Sequence, residues 1–65
     1  MAHLTINELR AAINRFPSMT ERKFARATGW MAEGVCRTPI EVLKRYCELN
    51  PNMTAAEAVR QMREC

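Results

Sequence analysis

The stretch Thr38-Pro39-Ile40-Glu41 carries three signals for the start of a helix within four residues. A threonine at the N-cap accepts a hydrogen bond from a backbone N–H of the first turn, and a glutamate three residues later can reciprocate. Proline at the first helical position costs nothing, because its missing N–H would have no partner there. Two further stretches, Thr5-Ile6-Asn7-Glu8 and Thr54-Ala55-Ala56-Glu57, repeat the threonine and the glutamate at the same spacing. These repeated starts predict a chain that is mostly helical.

Apolar residues at helical spacing extend these starts, and no segment shows the alternation typical of a strand. We expect helices over about Ile6–Phe16, Met19–Thr28, Pro39–Leu49 and Ala55–Arg63, with Ser18 capping the second. The residues expected to face the core are Leu9, Ala12, Ile13, Phe16, Phe24, Ala25, either Ala27 or Thr28, Trp30, Ile40, Leu43, Tyr46, Cys47, Ala55, Val59 and Met62. The predicted fold class is therefore all-α, a small bundle of four to five short helices.

Length and composition limit what this bundle can be. With 65 residues the chain has room for one domain, residues 1–65, and such a domain buries only about 60% of the surface exposed when unfolded. The start Met1-Ala2-His3-Leu4 lacks the basic residues and the apolar run of a secretory signal, so we expect a cytoplasmic protein. No apolar stretch approaches the roughly 20 residues of a membrane-spanning helix, so no membrane is expected among its partners.

Metal binding and catalysis find little support in the residue types. Cys36, Cys47 and Cys65 cannot all pair with one another, and together with His3 they lack the close spacing of a structural zinc site. His3 is the only histidine, and no motif ties a nucleophile to it. We expect no metal, no cofactor and no enzymatic activity. The net charge of +3 and the pI of about 9.1 are compatible with phosphate binding but do not establish it.

One segment, ERKFARATGWMAEGVCR at residues 21–37, resembles the helix-turn-helix of bacterial and phage DNA-binding regulators. Ala25 is the small residue at the helix crossing, Gly29 the glycine of the turn, and Val35 the apolar anchor of the second helix. The segment departs from that pattern at Thr28, where an apolar residue is usual, and at Gly34, which lies inside the second helix.

The resemblance implies roles for the exposed side chains of this segment. Helix Met19–Thr28 would cross the DNA backbone, and residues Met31–Arg37 would approach the major groove as a recognition helix. The cations expected at phosphates are Arg22, Lys23 and Arg26. The candidate base readers are Met31, Glu33 and Arg37, beside Ala32 and Cys36. Because one short helix gives few contacts, the resemblance also implies a homodimer on double-stranded DNA.

Three interpretations remain open at this stage. The first is a small DNA-binding regulatory protein that acts as a dimer. The second is a compact helical protein-binding module, encoded by a phage or another mobile element, that inhibits or recruits a host protein. It gains weight because the side chains expected to face DNA are, as a set, poor base readers. The third treats the motif as a plain helix corner with a solvated basic face. In the second, Trp30 is a candidate interface anchor.

Overall fold

The computed structural model describes residues 3–64, and this part of the chain is helical without any strand. Its elements are α1 (Ile6–Asn14), α2 (Glu21–Thr28), α3 (Pro39–Leu49) and α4 (Ala55–Arg63). Helix α1 packs against the other three helices, and α2 packs against both α3 and α4. The prediction of an all-α bundle is confirmed, with four helices over the described residues.

A threonine caps every one of these helices, as the sequence predicts for three of them. In each case the threonine Oγ1 accepts a hydrogen bond from the backbone N–H three residues later. The pairs are Thr5 and Glu8 at 3.2 Å, Thr20 and Lys23 at 3.3 Å, Thr38 and Glu41 at 3.3 Å, and Thr54 and Glu57 at 3.2 Å. At α3 the carboxylate also takes part, but Glu41 Oε2 accepts from the backbone N–H of Arg37, one residue before the cap, at 2.7 Å.

The start of α2 corrects a prediction. Ser18 does not cap this helix; Thr20 does, and Met19 lies before the cap rather than in the helix. Met19 and Phe24 are both buried in the main core, at the two positions that form a hydrophobic staple around an N-cap. Burial of Met19 therefore sets the entry of the chain into α2, two residues later than a cap at Ser18 would place it.

The end of α1 corrects another prediction. The helix stops at Asn14, two residues before the expected Phe16. Pro17 disfavours helical backbone in the residue before it, and the chain instead closes a turn in which the Phe16 N–H donates to the Ile13 carbonyl at 3.2 Å. Phe16 still packs against the core while half-buried, and the Arg63 guanidinium lies 4.7 Å from the centre of its ring.

The core divides into a large and a small cluster. The large cluster contains Leu4, Leu9, Ile13, Met19, Phe24, Leu43, Tyr46, Ala58 and Val59. The small cluster contains Ala25, Cys36 and Val42, and Trp30 packs against both. Because α3 faces α1 on one side and α2 on the other, its buried residues are Val42, Leu43 and Tyr46. The prediction that Ile40 faces the core is wrong: its side chain is 41% exposed.

Candidate functional site

The outer side of α2 carries a compact group of cations, Arg22, Lys23 and Arg26, which we call the basic face. All three side chains are exposed, and the i, i+4 spacing of the arginines puts them on one side of the helix. Over residues 3–64 none of the three forms an ion pair; the one ion pair in this part of the chain joins Arg10 to Glu21. Glu21, the only carboxylate of α2, is therefore directed to α1 and does not neutralise its neighbours.

A surface pocket of about 390 Å³ lies beside the basic face. Arg22 and Arg26 line it from α2, Met31 and Ala32 line it from the chain that follows α2, and Pro39 lines it from the first turn of α3. The pocket therefore combines two cations with three apolar side chains. Local sequence does not predict that Pro39 lines this pocket, because the position of α3 against α2 depends on the packing of the whole bundle.

Residues 30–38, which we call the connector, join α2 to α3 without forming a helix. The prediction of a recognition helix over Met31–Arg37 is therefore wrong. The connector makes one turn, in which the Glu33 N–H donates to the Gly29 carbonyl at 3.0 Å and the Val35 N–H donates to the Trp30 carbonyl at 2.9 Å. Gly34 ends this turn with a φ of 81°, in the left-handed region that breaks a right-handed helix.

The connector also reverses the expected roles of two neighbouring residues. Val35, predicted as the buried anchor of a recognition helix, is 48% exposed, whereas Cys36, predicted to face DNA, is buried at 6% exposure. Cys36 occupies the anchoring position because it packs with Ala25 and Val42 in the small cluster. The remaining base-reading candidates, Met31, Ala32, Glu33 and Arg37, are all exposed.

The first half of the motif has the expected local structure. Ala25 is fully buried, as a small residue at a helix crossing should be, and Gly29 caps α2 with a φ of 77°. Thr28, where the motif favours an apolar residue, is half-buried and uses its hydroxyl within the corner. Its Oγ1 donates to the Ala25 carbonyl at 2.7 Å and accepts from the Trp30 N–H at 3.3 Å. The end of α2 and the turn at Gly29 thus have the local structure of the motif, but no second helix follows them directly.

Trp30 has a structural role at the start of the connector. Its half-buried side chain packs against both clusters, and its ring centre lies 6.3 Å from that of Tyr46. The Arg45 guanidinium lies 5.5 Å from the centre of the indole, within cation–π range. These contacts hold the indole against the bundle, and its use as an interface anchor stays a prediction.

The cysteines differ in how far they are buried. Cys36 is a buried free thiol and Cys47 a half-buried one, whereas Cys65 falls outside the described residues. Burial raises the pKa of the Cys47 thiol, and the negative charges of Glu48 and Glu8 raise it further. Between residues 3 and 64, no three histidine, cysteine or acidic side chains gather closely enough to hold a metal ion.

None of the helices in the described part of the chain has the length and apolar character needed to span a bilayer. No protein-family model matches the chain, and the searches of curated proteins and of solved structures found no significant similarity. The basic face, the pocket and the connector are therefore the features from which a function can be inferred.

Proposed function

We propose that the protein is a small DNA-binding regulatory protein that holds double-stranded DNA through the basic face. The observation that supports this proposal is the exposure of Arg22, Lys23 and Arg26 on one short helix, with none of them in an ion pair within residues 3–64. Cations that are not neutralised by the protein gain most from contact with phosphates, because each contact releases condensed counterions. Such contacts position a protein on DNA without reading its sequence.

The connector changes what base recognition this protein can perform. Without a helix over residues 31–37, the proposal assigns base reading chiefly to Arg37, whose guanidinium matches the acceptors of guanine in the major groove. Glu33 can accept only from cytosine, and Met31 can contact only the methyl group of thymine. We therefore propose binding dominated by the DNA backbone, with a modest sequence preference. Two copies on half-sites about 34 Å apart would double the contacts that one copy makes.

Binding to mixed-sequence duplex DNA over a salt series tests this function. The triple variant Arg22→Ala, Lys23→Ala, Arg26→Ala should bind more weakly, and its plot of log affinity against log salt should lose about 0.9 in slope per lost phosphate contact. A matched triple variant, Arg15→Ala, Lys44→Ala, Arg60→Ala, removes the same charge from residues scattered over the chain. Equal losses of affinity in the two triple variants would mean that net charge, and not the basic face, drives binding. If the native chain does not bind DNA at about 50 mM salt, the proposal is overturned.

A second function, binding of a partner protein that the module inhibits or recruits, is favoured by a separate observation. Three large apolar side chains near one another in sequence are exposed, with Met31 at 38%, Val35 at 48% and Ile40 at 41%. Apolar side chains gain little from phosphates, but they release water when a protein surface covers them. In this second proposal the connector is the centre of a protein interface.

A further inference from the structure

The pocket beside the basic face has two chemically distinct parts. Met31, Ala32 and Pro39 provide its apolar part, and Arg22 and Arg26 provide its cationic part. Its volume of about 390 Å³ lies within the range of pockets that hold a ligand group. A ligand that uses both parts must therefore carry an apolar group and a negative charge close together.

We propose that this pocket binds an acidic segment of a partner protein, with one apolar side chain on Met31, Ala32 and Pro39 and neighbouring carboxylates on Arg22 and Arg26. The proposal rests on the second function above and names the chemistry of its partner. Carboxylates are the complementary groups because planar guanidinium groups bind them with paired, charge-assisted hydrogen bonds. Neither guanidinium has an ion pair within residues 3–64, so no internal pair need break on binding.

The surroundings of the pocket favour a protein segment over the DNA backbone. Ile40 follows Pro39 directly and is exposed, so the apolar surface continues along the first turn of α3. A phosphodiester chain would satisfy the arginines but would leave this apolar surface without a partner. An amphipathic helix, with apolar side chains at helical spacing and acidic residues beside them, would cover both.

Fluorescence anisotropy with labelled synthetic peptides tests the proposal on the full chain. The probe is a short amphipathic peptide with leucines at helical spacing flanked by glutamates. One control peptide replaces the leucines by serines, and the other replaces the glutamates by lysines. We expect both controls to bind at least about tenfold more weakly than the probe, since each removes half of the proposed recognition.

Two pairs of matched variants separate this site from DNA binding. Met31→Ser should weaken binding of the probe at least about tenfold, whereas Leu49→Ser, at another exposed apolar residue outside this pocket, should leave it unchanged. Lys23→Ala should weaken DNA binding and spare the probe, because Lys23 does not line the pocket. Arg22→Ala should weaken both. Circular dichroism verifies that each variant keeps its helices.

The alternative outcomes are distinct from one another. Equal binding of the serine and leucine peptides, or unchanged probe binding by Met31→Ser, would overturn the proposal by showing charge attraction alone. Equal losses of affinity in Met31→Ser and Leu49→Ser would overturn it by showing apolar binding that is not confined to the pocket. If sedimentation shows a homodimer and Met31→Ser dissociates it, the proposal would be overturned, because a second copy of the chain would occupy the pocket. Failure of the probe together with salt-dependent DNA binding would overturn the docking site and leave the DNA function standing. Binding of the probe without any binding of DNA would support the docking site and overturn the DNA function.

Discussion

The aromatic rings of Phe24 and Tyr46 meet edge to face, with centroids 5.1 Å apart and planes inclined by 81°. The contact joins α2 to α3 and lies next to Trp30, whose ring also approaches Tyr46. The Tyr46 hydroxyl lies 3.8 Å from the Met53 sulfur, so the same side chain reaches the loop before α4. This aromatic group fixes the angle between the helix that carries the basic face and the helix that completes the pocket.

Replacement of Phe24 by leucine should lower the free energy of unfolding by roughly 1 kcal/mol beyond the loss of buried area, because the edge-to-face contact disappears. A double-mutant cycle with Tyr46→Leu isolates this contact, because the cycle subtracts what each side chain contributes alone. Urea denaturation of the two single variants and the double variant measures it. Additive losses would show that the contact between the two rings adds nothing specific.

The cap of α2 provides a second prediction. Thr20→Ala should cost about 1 kcal/mol of stability, because its hydroxyl accepts from the Lys23 N–H. Ser18→Ala should change stability by no more than a few tenths of a kcal/mol, as surface substitutions generally do. Thermal unfolding of both variants decides between the two starting points. A larger loss at Ser18 would place the start of the helix earlier than Thr20.

A third prediction concerns the glycine that ends the turn of the connector. Gly34→Ala should destabilise the protein by about 1–2 kcal/mol, because its φ of 81° is unfavourable for an L-residue. The strain comes from the backbone alone, since a Cβ there would meet no atom within 4 Å. Gly34→Asn should cost less, because asparagine tolerates this region better. Equal melting temperatures for the Gly34→Ala variant and the native chain would contradict the left-handed conformation at Gly34.

Arg37 allows a test of base reading. Under the DNA proposal, Arg37→Ala should reduce discrimination at one base position by about 1–3 kcal/mol while leaving the salt slope nearly unchanged. Selection of binding sites from a random pool by the native chain and by the variant measures this. If the variant keeps the preference of the native chain, then Arg37 does not read a base.

The pKa of Cys47 provides a prediction about reactivity. Because burial, Glu48 and Glu8 all raise this pKa, a smaller fraction of the thiol is ionised at a given pH, and alkylation should be slower than for an unperturbed thiol. The rate should rise as the pH increases towards the raised pKa. Glu48→Gln should accelerate the reaction, and Glu57→Gln, a carboxylate that is not among the causes, should not. Mass spectrometry of the digested protein assigns the modification to Cys47.

Local sequence was enough to predict three of the helix starts, because a cap depends on residues three positions apart. It was not enough at α2, where Ser18 and Thr20 are both suitable caps and the burial of Met19 decides between them. Local sequence also could not predict that Cys36 is buried in place of Val35. The site beside Ala25 that the Cys36 thiol occupies forms only when α2 packs against α3. The basic face was predicted correctly as exposed because it depends on α2 alone.

The division of the core has a consequence for how this small protein moves. Beyond Trp30, which packs against both clusters, the connector has one buried side chain, Cys36, in a cluster of three residues, whereas the helices share the larger cluster. Detachment of that thiol exposes little apolar area, so the connector can open at a smaller free-energy cost than the unfolding of the bundle. Amide protons of the connector should then exchange with solvent sooner than those of α1 and α3. The connector side of the pocket can thus change its shape while the four helices stay folded.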